Sequence, residues 1–267
     1  MKNKYVLGNS SDEIERLKIQ SSLFEPLSRS TLLQAGIKKG MICCDVGCGS
    51  GGVTKMMGDM VGKKGKVIGV DINEKYIQYC KESTTQNNVS YFCDDIIKSK
   101  NFPEETFDIV YSRFMFVHLN DKSKALQQMI RLAKKGGTII IQELDHAPDS
   151  WLSYPKRQSV NTLRKIYVNL VKKAGGDPYA GRKIYKMFVD NNLASTVESY
   201  SPCLVMNHEP YNSLGWKIAQ SLKPQIISFG LLNQKEYDEM FNDLKEMSKN
   251  PYSFVLYARL FSVIGKK

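Results

Sequence analysis

The segment Asp45-Val46-Gly47-Cys48-Gly49-Ser50-Gly51-Gly52 constrains this chain more than any other. It follows the short apolar run Met41 to Val46, which reads as a strand, and precedes a helical stretch near Val53 to Val61. Glycines at such a junction permit a tight turn and let a ligand approach the backbone, and the helix that follows offers unpaired N–H groups. The segment therefore reads as a nucleotide-type loop, and it commits its neighbourhood to alternating strands and helices.

That alternation continues down the chain. Strands are expected over Val67 to Val70, Ser90 to Phe92, Phe107 to Ser112 and Thr138 to Gln142, with helices over Glu74 to Thr85 and about Lys122 to Ala133. Unbroken apolar strands separated by helices indicate a parallel sheet covered on both faces, the doubly wound architecture. Ahead of the loop, the Ser10 to Glu13 spacing fits a capping box and predicts a helix ending at Pro26, followed by a second helix from about Pro26 to Ala35. Beyond Glu143 the rhythm changes. Helices are expected near Lys156 to Lys173 and Arg182 to Asn192, a strand over Ser195 to Val205, helix through Tyr211 to Met247, and a last strand over Tyr252 to Ile264. The two insertions flanking the penultimate strand are placed to cover the crevice at the strand C-terminal ends as a lid.

Gly47, Gly49 and Gly52 also satisfy a G-x-G-x-x-G pattern, so a nicotinamide-dependent oxidoreductase is one reading. Asp45 opposes it, because a carboxylate two residues before the first glycine would crowd a pyrophosphate, whereas it suits an ammonium or the loop's own donors. Asp71 ends the next strand about 20 residues on, where an acid can accept both hydroxyls of a ribose. It also stands at a helix N-terminus, where an acid is favourable anyway. Asp94, Asp95 and Ile96 end the third strand, and an acid beside an apolar residue suits the amine and face of an adenine. Of the two acids Asp95 is preferred, Asp94 being available to cap the turn.

In this order the residues resemble the class I S-adenosylmethionine-dependent methyltransferases, through Asp45 to Gly51, Asp71, Asp95-Ile96, Phe107-Asp108-Ile109-Val110 and Gly136-Gly137, over roughly residues 36 to 143. The resemblance implies S-adenosylmethionine as cofactor and S-adenosylhomocysteine as product. It implies that Gly47, Gly49 and Gly51 line the methionine moiety, that Asp71 with Ile72 holds the ribose, and that Asp95 and Ile96 hold adenine. Arg113 would offer its backbone near the cofactor's amino group. Tyr5-Val6-Leu7-Gly8 and Glu13-x-x-Arg16-Leu17-x-x-Gln20 look like the N-terminal element of the small-molecule branch, in which Tyr5 and Gln20 would close over the cofactor. The segment Gly176-Asp177-Pro178-x-x-Gly181-Arg182 is similar to ubiquinone/menaquinone-type and secondary-metabolite methyltransferases. One departure is Asn192-Leu193, where the family usually has a glycine before the strand. The expected fold is then a Rossmann-like, doubly wound, mainly parallel seven-stranded α/β sheet with an antiparallel last strand and helical lid insertions. Its divisions are a helical cap at 1–35, the cofactor core at 36–147, a lid insertion at 148–194, and closing strands at 195–267 with a helical insertion at about 211–249.

Methyl transfer from a sulfonium is an in-line displacement that alignment and water exclusion can suffice to promote, so no catalytic residue is assigned. His118 and His146, after the fourth and fifth strands, are candidates for a base facing the acceptor, or else packed core histidines. Trp151, Tyr154, Tyr211, Trp216, Phe229 and Tyr252 either build an apolar acceptor pocket or pack small helices onto the core. With six cysteines lacking a C-x-x-C pair and three histidines, no metal site is expected. The net charge of +11 is spread thinly, which favours a lysine-rich surface over a nucleic-acid face, although methylation of RNA stands as an alternative. No apolar run suffices to span a bilayer and no signal-peptide block leads the chain, so a cytoplasmic protein is expected, with a small-molecule methyl acceptor as partner and a homodimer as one compatible assembly.

Overall fold

The structure, a computed structural model, describes residues 11–206 and 208–267. The Ser10 cap and the Tyr5 segment lie outside the described residues. The chain runs α1 (Ser11–Gln34), β1 (Ile42–Val46), α2 (Gly52–Val61), β2 (Lys66–Asp71), α3 (Glu74–Ser83), β3 (Val89–Cys93), β4 (Phe107–Arg113), α4 (Lys122–Leu132) and β5 (Ala133–Asp145). There follow β6 (Leu152–Tyr154), α5 (Gln158–Lys173), α6 (Gly181–Asp190), β7 (Ala194–Tyr200), β8 (Cys203–Val205), α7 (Leu214–Ser228), α8 (Gln234–Lys249), β9 (Phe254–Leu256) and β10 (Arg259–Lys266).

The main sheet has seven strands in the order β3-β2-β1-β4-β5-β10-β7. β3, β2, β1, β4 and β5 pair in parallel, and β10 runs antiparallel between β5 and β7. The side-chain alternation of strands explains the unbroken apolar runs. Cys43, Ile109 and Ile140 pack on one face with Met57 and Val61 of α2, while Cys44, Val110 and Ile141 pack on the other with Met129 of α4 and Phe188 of α6. The order of connection reverses between β1 and β4, so the turns leaving these strands open a crevice rather than crossing it. The glycine loop leaves β1 at that point.

Tertiary context changes four elements. The two helices expected around Pro26 form the single helix α1 with Pro26 inside it. The missing N–H is tolerated because Ile19, Phe24 and Leu32, on both sides of the proline, all bury. The strand expected over Ser195 to Val205 splits into β7 and β8, which belong to different sheets, with Pro202 at the break. The last strand likewise splits into β9 and β10 at Tyr257-Ala258, and the helix expected over Tyr211 to Met247 breaks into α7 and α8 at Gly230, whose φ is +60°. The short pieces β6, β9 and β8 assemble a second, three-stranded antiparallel sheet that the sequence did not signal. Asn192 adopts a left-handed φ of 57°, so it takes the turn geometry that a glycine would supply.

A buried polar cluster clamps α1 to the sheet. The Gln142 side chain accepts from Ser28 Oγ at 2.7 Å and from the Tyr111 hydroxyl, and donates to Ser262 Oγ at 2.7 Å and Thr31 Oγ1 at 3.0 Å. Every hydrogen-bonding position of this buried amide is engaged, which removes the cost of burying it.

Candidate functional site

A cleft of about 1330 Å³ opens at the C-terminal ends of β1, β2 and β4. Its lining includes Gln20, Asp45, Gly47, Gly49, Asp71, Ile72, Asp94, Asp95, Ile96 and Arg113, which the topology draws from widely separated parts of the chain. Tyr5 lies outside the described residues.

The glycine loop is held at both ends. Gly47 N–H donates to Val70 O at 2.7 Å, and Gly49 N–H donates to Asp71 Oδ2 at 2.9 Å. Gly47, Gly49 and Gly51 have φ of +74°, +53° and +78°. Space divides their roles. A side chain at Gly49 would enter open cleft, whereas a Cβ at Gly51 would stand 2.7 Å from the Tyr91 hydroxyl and 2.9 Å from Cys80 Sγ. Gly51 is absent from the cleft lining and packs the loop onto α3 and β3.

The acids differ in their commitments. Asp45 is buried and accepts a 2.6 Å hydrogen bond from Thr54 Oγ1, and burial pushes its carboxyl up to about 6. Asp71 accepts from the amides of Gly49 and Asn73, at 2.9 and 2.8 Å, while burial raises its pKa above the usual carboxylate value. Asp94 Oδ2 receives Ser99 Oγ at 2.5 Å and Asn101 Nδ2 at 2.9 Å, so this acid caps the loop after β3. Asp95 accepts from the Ile97 amide at 3.1 Å and keeps a distant Lys98 at 3.8 Å. Beside them Ile72 is 67% exposed, a large apolar side chain left open at the cleft edge.

Arg113 ends β4 and turns its guanidinium to α1, donating to Ser28 Oγ at 2.9 Å and Ser21 Oγ at 2.8 Å. The next residue, Phe114, has a left-handed φ of 60°, a strained conformation for an aromatic residue that turns the chain at the cleft wall. The single turn Phe116–His118 follows, and Glu143 holds it. The Glu143 carboxylate accepts from the amides of Val117 and Leu144, at 2.9 and 2.8 Å, and both of those residues line the cleft. Burial pushes the Glu143 carboxyl up to about 7.

The two histidines separate. His118 lines the cleft, with its pKa pushed down to about 4 by burial and then by Arg16 and Lys122. His146 is absent from the lining; it is 1% exposed, with its ring centroid 4.5 Å from that of Tyr167. Its position beyond β5 carries it behind the wall instead of to the mouth, and burial pushes its pKa down to about 3. Of the six aromatics named from the insertions, none lines the cleft. Trp151 stands behind Tyr257 at 5.1 Å, Tyr211 and Trp216 pack on the helical cluster, and Tyr154, Phe229 and Tyr252 are exposed.

Sequence reasoning missed Tyr167, Tyr257, Leu144 and Ile218 as cleft residues. Tyr257 marks the break between β9 and β10, and the Tyr-Ala step offers no local signal for it. Arg16 and Glu13 were noted as part of a pattern, and the structure shows them as a buried ion pair, Nε to Oε2 and Nη2 to Oε1 both at 2.8 Å, with Arg16 Nη1 donating to Gln20 Oε1 at 3.0 Å. Among the described residues no group of histidines, cysteines and acids could hold a metal ion, and no helix is long and apolar enough to cross a membrane.

The C-methyltransferase UbiE of ubiquinone/menaquinone biosynthesis from a Marinomonas strain is 30% identical over 128 residues, 47% of this chain and 51% of that protein. An uncharacterised methyltransferase of Schizosaccharomyces pombe is 31% identical over 174 residues, covering 62% of this chain and 61% of its own length. The chain thus spans about half to three-fifths of the length of these relatives. Among solved structures, the phosphoethanolamine N-methyltransferase 2 of Haemonchus contortus, in complex with phosphomonomethylethanolamine and S-adenosylhomocysteine, aligns with a TM-score of 0.58 at 18% identity, covering 94% of this chain and 57% of that one. The YcgJ protein of Bacillus subtilis aligns with a TM-score of 0.58 at 18% identity over 90% of this chain and 97% of its own. A family model for the methyltransferase domain matches residues 37–192, more than half of the chain, and the chain belongs to that family.

Proposed function

We propose that this protein transfers the methyl group of S-adenosylmethionine to a small organic acceptor, leaving S-adenosylhomocysteine. The carrying observation is that one cleft is lined by the glycine loop, by the acids after β2 and β3, and by an apolar chamber beyond them. The residues present fit the group. Gly49 leaves its side-chain space open, Asp71 stands at the β2 end, and the exposed Ile72 gives an apolar edge against which a ribose and purine would pack. Asp45, Gly47 and Gly49 would hold the amino-acid end, Asp71 the ribose, and Asp95 with Ile96 the adenine. Asp94 keeps its loop in shape, Gly51 seats the turn, and Gln20 with Arg113 ties α1 over the cleft.

When bound, the sulfonium supplies an activated methyl group. The chain's own contribution is placement. Arg113 fixes α1 through Ser21 and Ser28, and Glu143 fixes the turn bearing His118. His118 would face the acceptor as a neutral imidazole, its pKa pushed down to about 4. Family membership displaces the nicotinamide reading. The thin spread of positive charge and the apolar side chains Leu144, Tyr167, Ile218 and Tyr257 in the cleft lining favour a small acceptor over RNA.

Isothermal titration with S-adenosylmethionine and S-adenosylhomocysteine tests the assignment, with NADH and NADPH as controls. The sulfonium pair should bind at micromolar concentrations and Asp71→Ala should weaken it by at least about tenfold, or roughly 1.4 kcal/mol. Binding of a nicotinamide cofactor alone would overturn it.

A further inference from the structure

The strands β6, β9 and β8 form an antiparallel sheet with two unlike faces. Side chains alternate across a strand, so the register sorts them. On the inner face Leu204 and Val255 are buried in the same cluster as Tyr167 and Tyr257. On the outer face stand Leu152, Tyr154, Phe254, Leu256, Cys203 and Val205, none of them charged. Leu152, Tyr154 and Val205 are 49%, 60% and 45% exposed, Cys203 is exposed as well, and Phe254 and Leu256 between them are half-buried. A contiguous apolar patch left in water marks an interaction surface, unlike the same residues scattered singly.

The layout of the patch matches a second copy of itself. β6 and β8 both run antiparallel to β9 and therefore share a direction. Leu152 is level with Cys203 across Leu256, and Tyr154 is level with Val205 across Phe254, so β6 carries the large side chains and β8 the small ones. A two-fold axis along β9, between two facing sheets, lays β6 of each copy over β8 of the other. Leu152 then meets the second copy's Cys203 and Tyr154 meets its Val205, large against small at both levels. Phe254 and Leu256 meet their own equivalents.

Charge follows the same symmetry. The chain leaves β6 toward Lys156, and it leaves β8 into a turn, closed by His208 N–H on Val205 O at 3.1 Å, that leads to Glu209. Both residues are exposed beyond the same end of the sheet, and among the described residues neither has an ion-pair partner. The axis brings Lys156 of each copy to the end where Glu209 of the other stands, so the pairing occurs twice. An anionic membrane would favour basic residues around the patch, and Glu209 at its edge opposes that occupant.

We propose that the outer face of the β6-β9-β8 sheet is a homodimer interface, closed by a two-fold axis along β9 with Lys156 of each copy paired to Glu209 of the other. A face three strands wide, with strands three residues long, is the core of a small interface, so the dimer should dissociate in the range of roughly 1–100 µM.

Sedimentation equilibrium of the full chain from about 1 to 200 µM tests this, and the parent should pass from monomer to dimer across that range. Tyr154→Lys changes an exposed position, and should keep the parent's melting temperature while weakening association by at least about tenfold. Lys156→Glu and Glu209→Lys should each weaken it by about threefold or more, and the two together should restore it to within about twofold of the parent. A monomer at every concentration overturns the proposal, as does a dimer indifferent to Tyr154→Lys, which would use another surface. A charge swap that fails to restore association overturns the two-fold pairing. Flotation with phosphatidylserine vesicles supplies the rival occupant: binding by the parent that is lost in Tyr154→Lys would give the face to a membrane and overturn the dimer.

Discussion

The amide of Gly49 donates to Oδ2 of Asp71 across 2.9 Å, tying the loop after β1 to the acid that ends β2. Two parts of the cofactor pattern that stand 22 residues apart in sequence are thus one hydrogen-bonded unit. Asp71 has two tasks: shaping the glycine loop and presenting a carboxylate to the cleft.

The glycines of the loop should respond differently to the same substitution. Gly49→Ala meets open space and carries only the left-handed strain, on the order of 1–2 kcal/mol. Its methyl group enters the cofactor's space, so affinity for S-adenosylhomocysteine should fall more than the melting temperature. Gly51→Ala adds overlap with Tyr91 and Cys80, and should lower the melting temperature more than Gly49→Ala does. Thermal unfolding paired with titration of both variants checks this, and the reverse order would remove Gly49 from the binding surface.

Glu143 should give the protein a specific pH signature. Its folded pKa of about 7 lies above the ordinary 4.5, so the stability it contributes is fully present below about pH 4.5 and is lost as pH rises through 7. Glu143→Gln cannot ionise. The stability of the parent relative to this variant should therefore fall between pH 4.5 and 7 and be level on either side, as urea unfolding at several pH values would show. A level difference throughout would mean that the carboxyl titrates normally.

His146 has the opposite sign. Its folded pKa of about 3 lies below the ordinary 6.5, so the unfolded chain binds the extra proton and stability is lost as pH falls below 6.5. Among the described residues neither ring nitrogen has a hydrogen-bond partner, an omission that costs about 1–3 kcal/mol for a buried polar group. His146→Phe, which preserves the ring against Tyr167, should match or exceed the parent's melting temperature at pH 8 and exceed it by a wider margin at pH 5. A lower melting temperature at both values would contradict this account of the ring.

The Gln142 clamp predicts a larger loss. Gln142→Leu would take one hydrogen bond from each of the Ser28, Thr31, Tyr111 and Ser262 hydroxyls and set an apolar side chain among them, and should destabilise the protein by roughly 2–4 kcal/mol. Because α1 carries Gln20 and Arg16 to the cleft, affinity for S-adenosylhomocysteine should fall as well. Chemical denaturation and titration of the same sample measure both effects.

What the sequence determined is the sheet and the cofactor half of the cleft. The runs at Ile42–Val46, Val67–Val70 and Phe107–Ser112 must bury on both faces, glycine is required where φ is positive at Gly47 and Gly49, and acids at successive strand ends are local patterns with local causes. The tertiary structure decided the rest. Pro26 stays within one helix because residues on both sides of it bury together, and a run such as Tyr252 to Ile264 divides between two sheets because each half finds a different partner. His146 and His118 carry the same side chain at comparable strand ends, yet one backs the wall and the other lines the cleft. Phe24 of α1 packs its ring against both Phe114 and Tyr257, and the Gln142 clamp reaches from Ser28 to Ser262. Such contacts are set by packing between distant segments, and spacing along the chain carries no record of them.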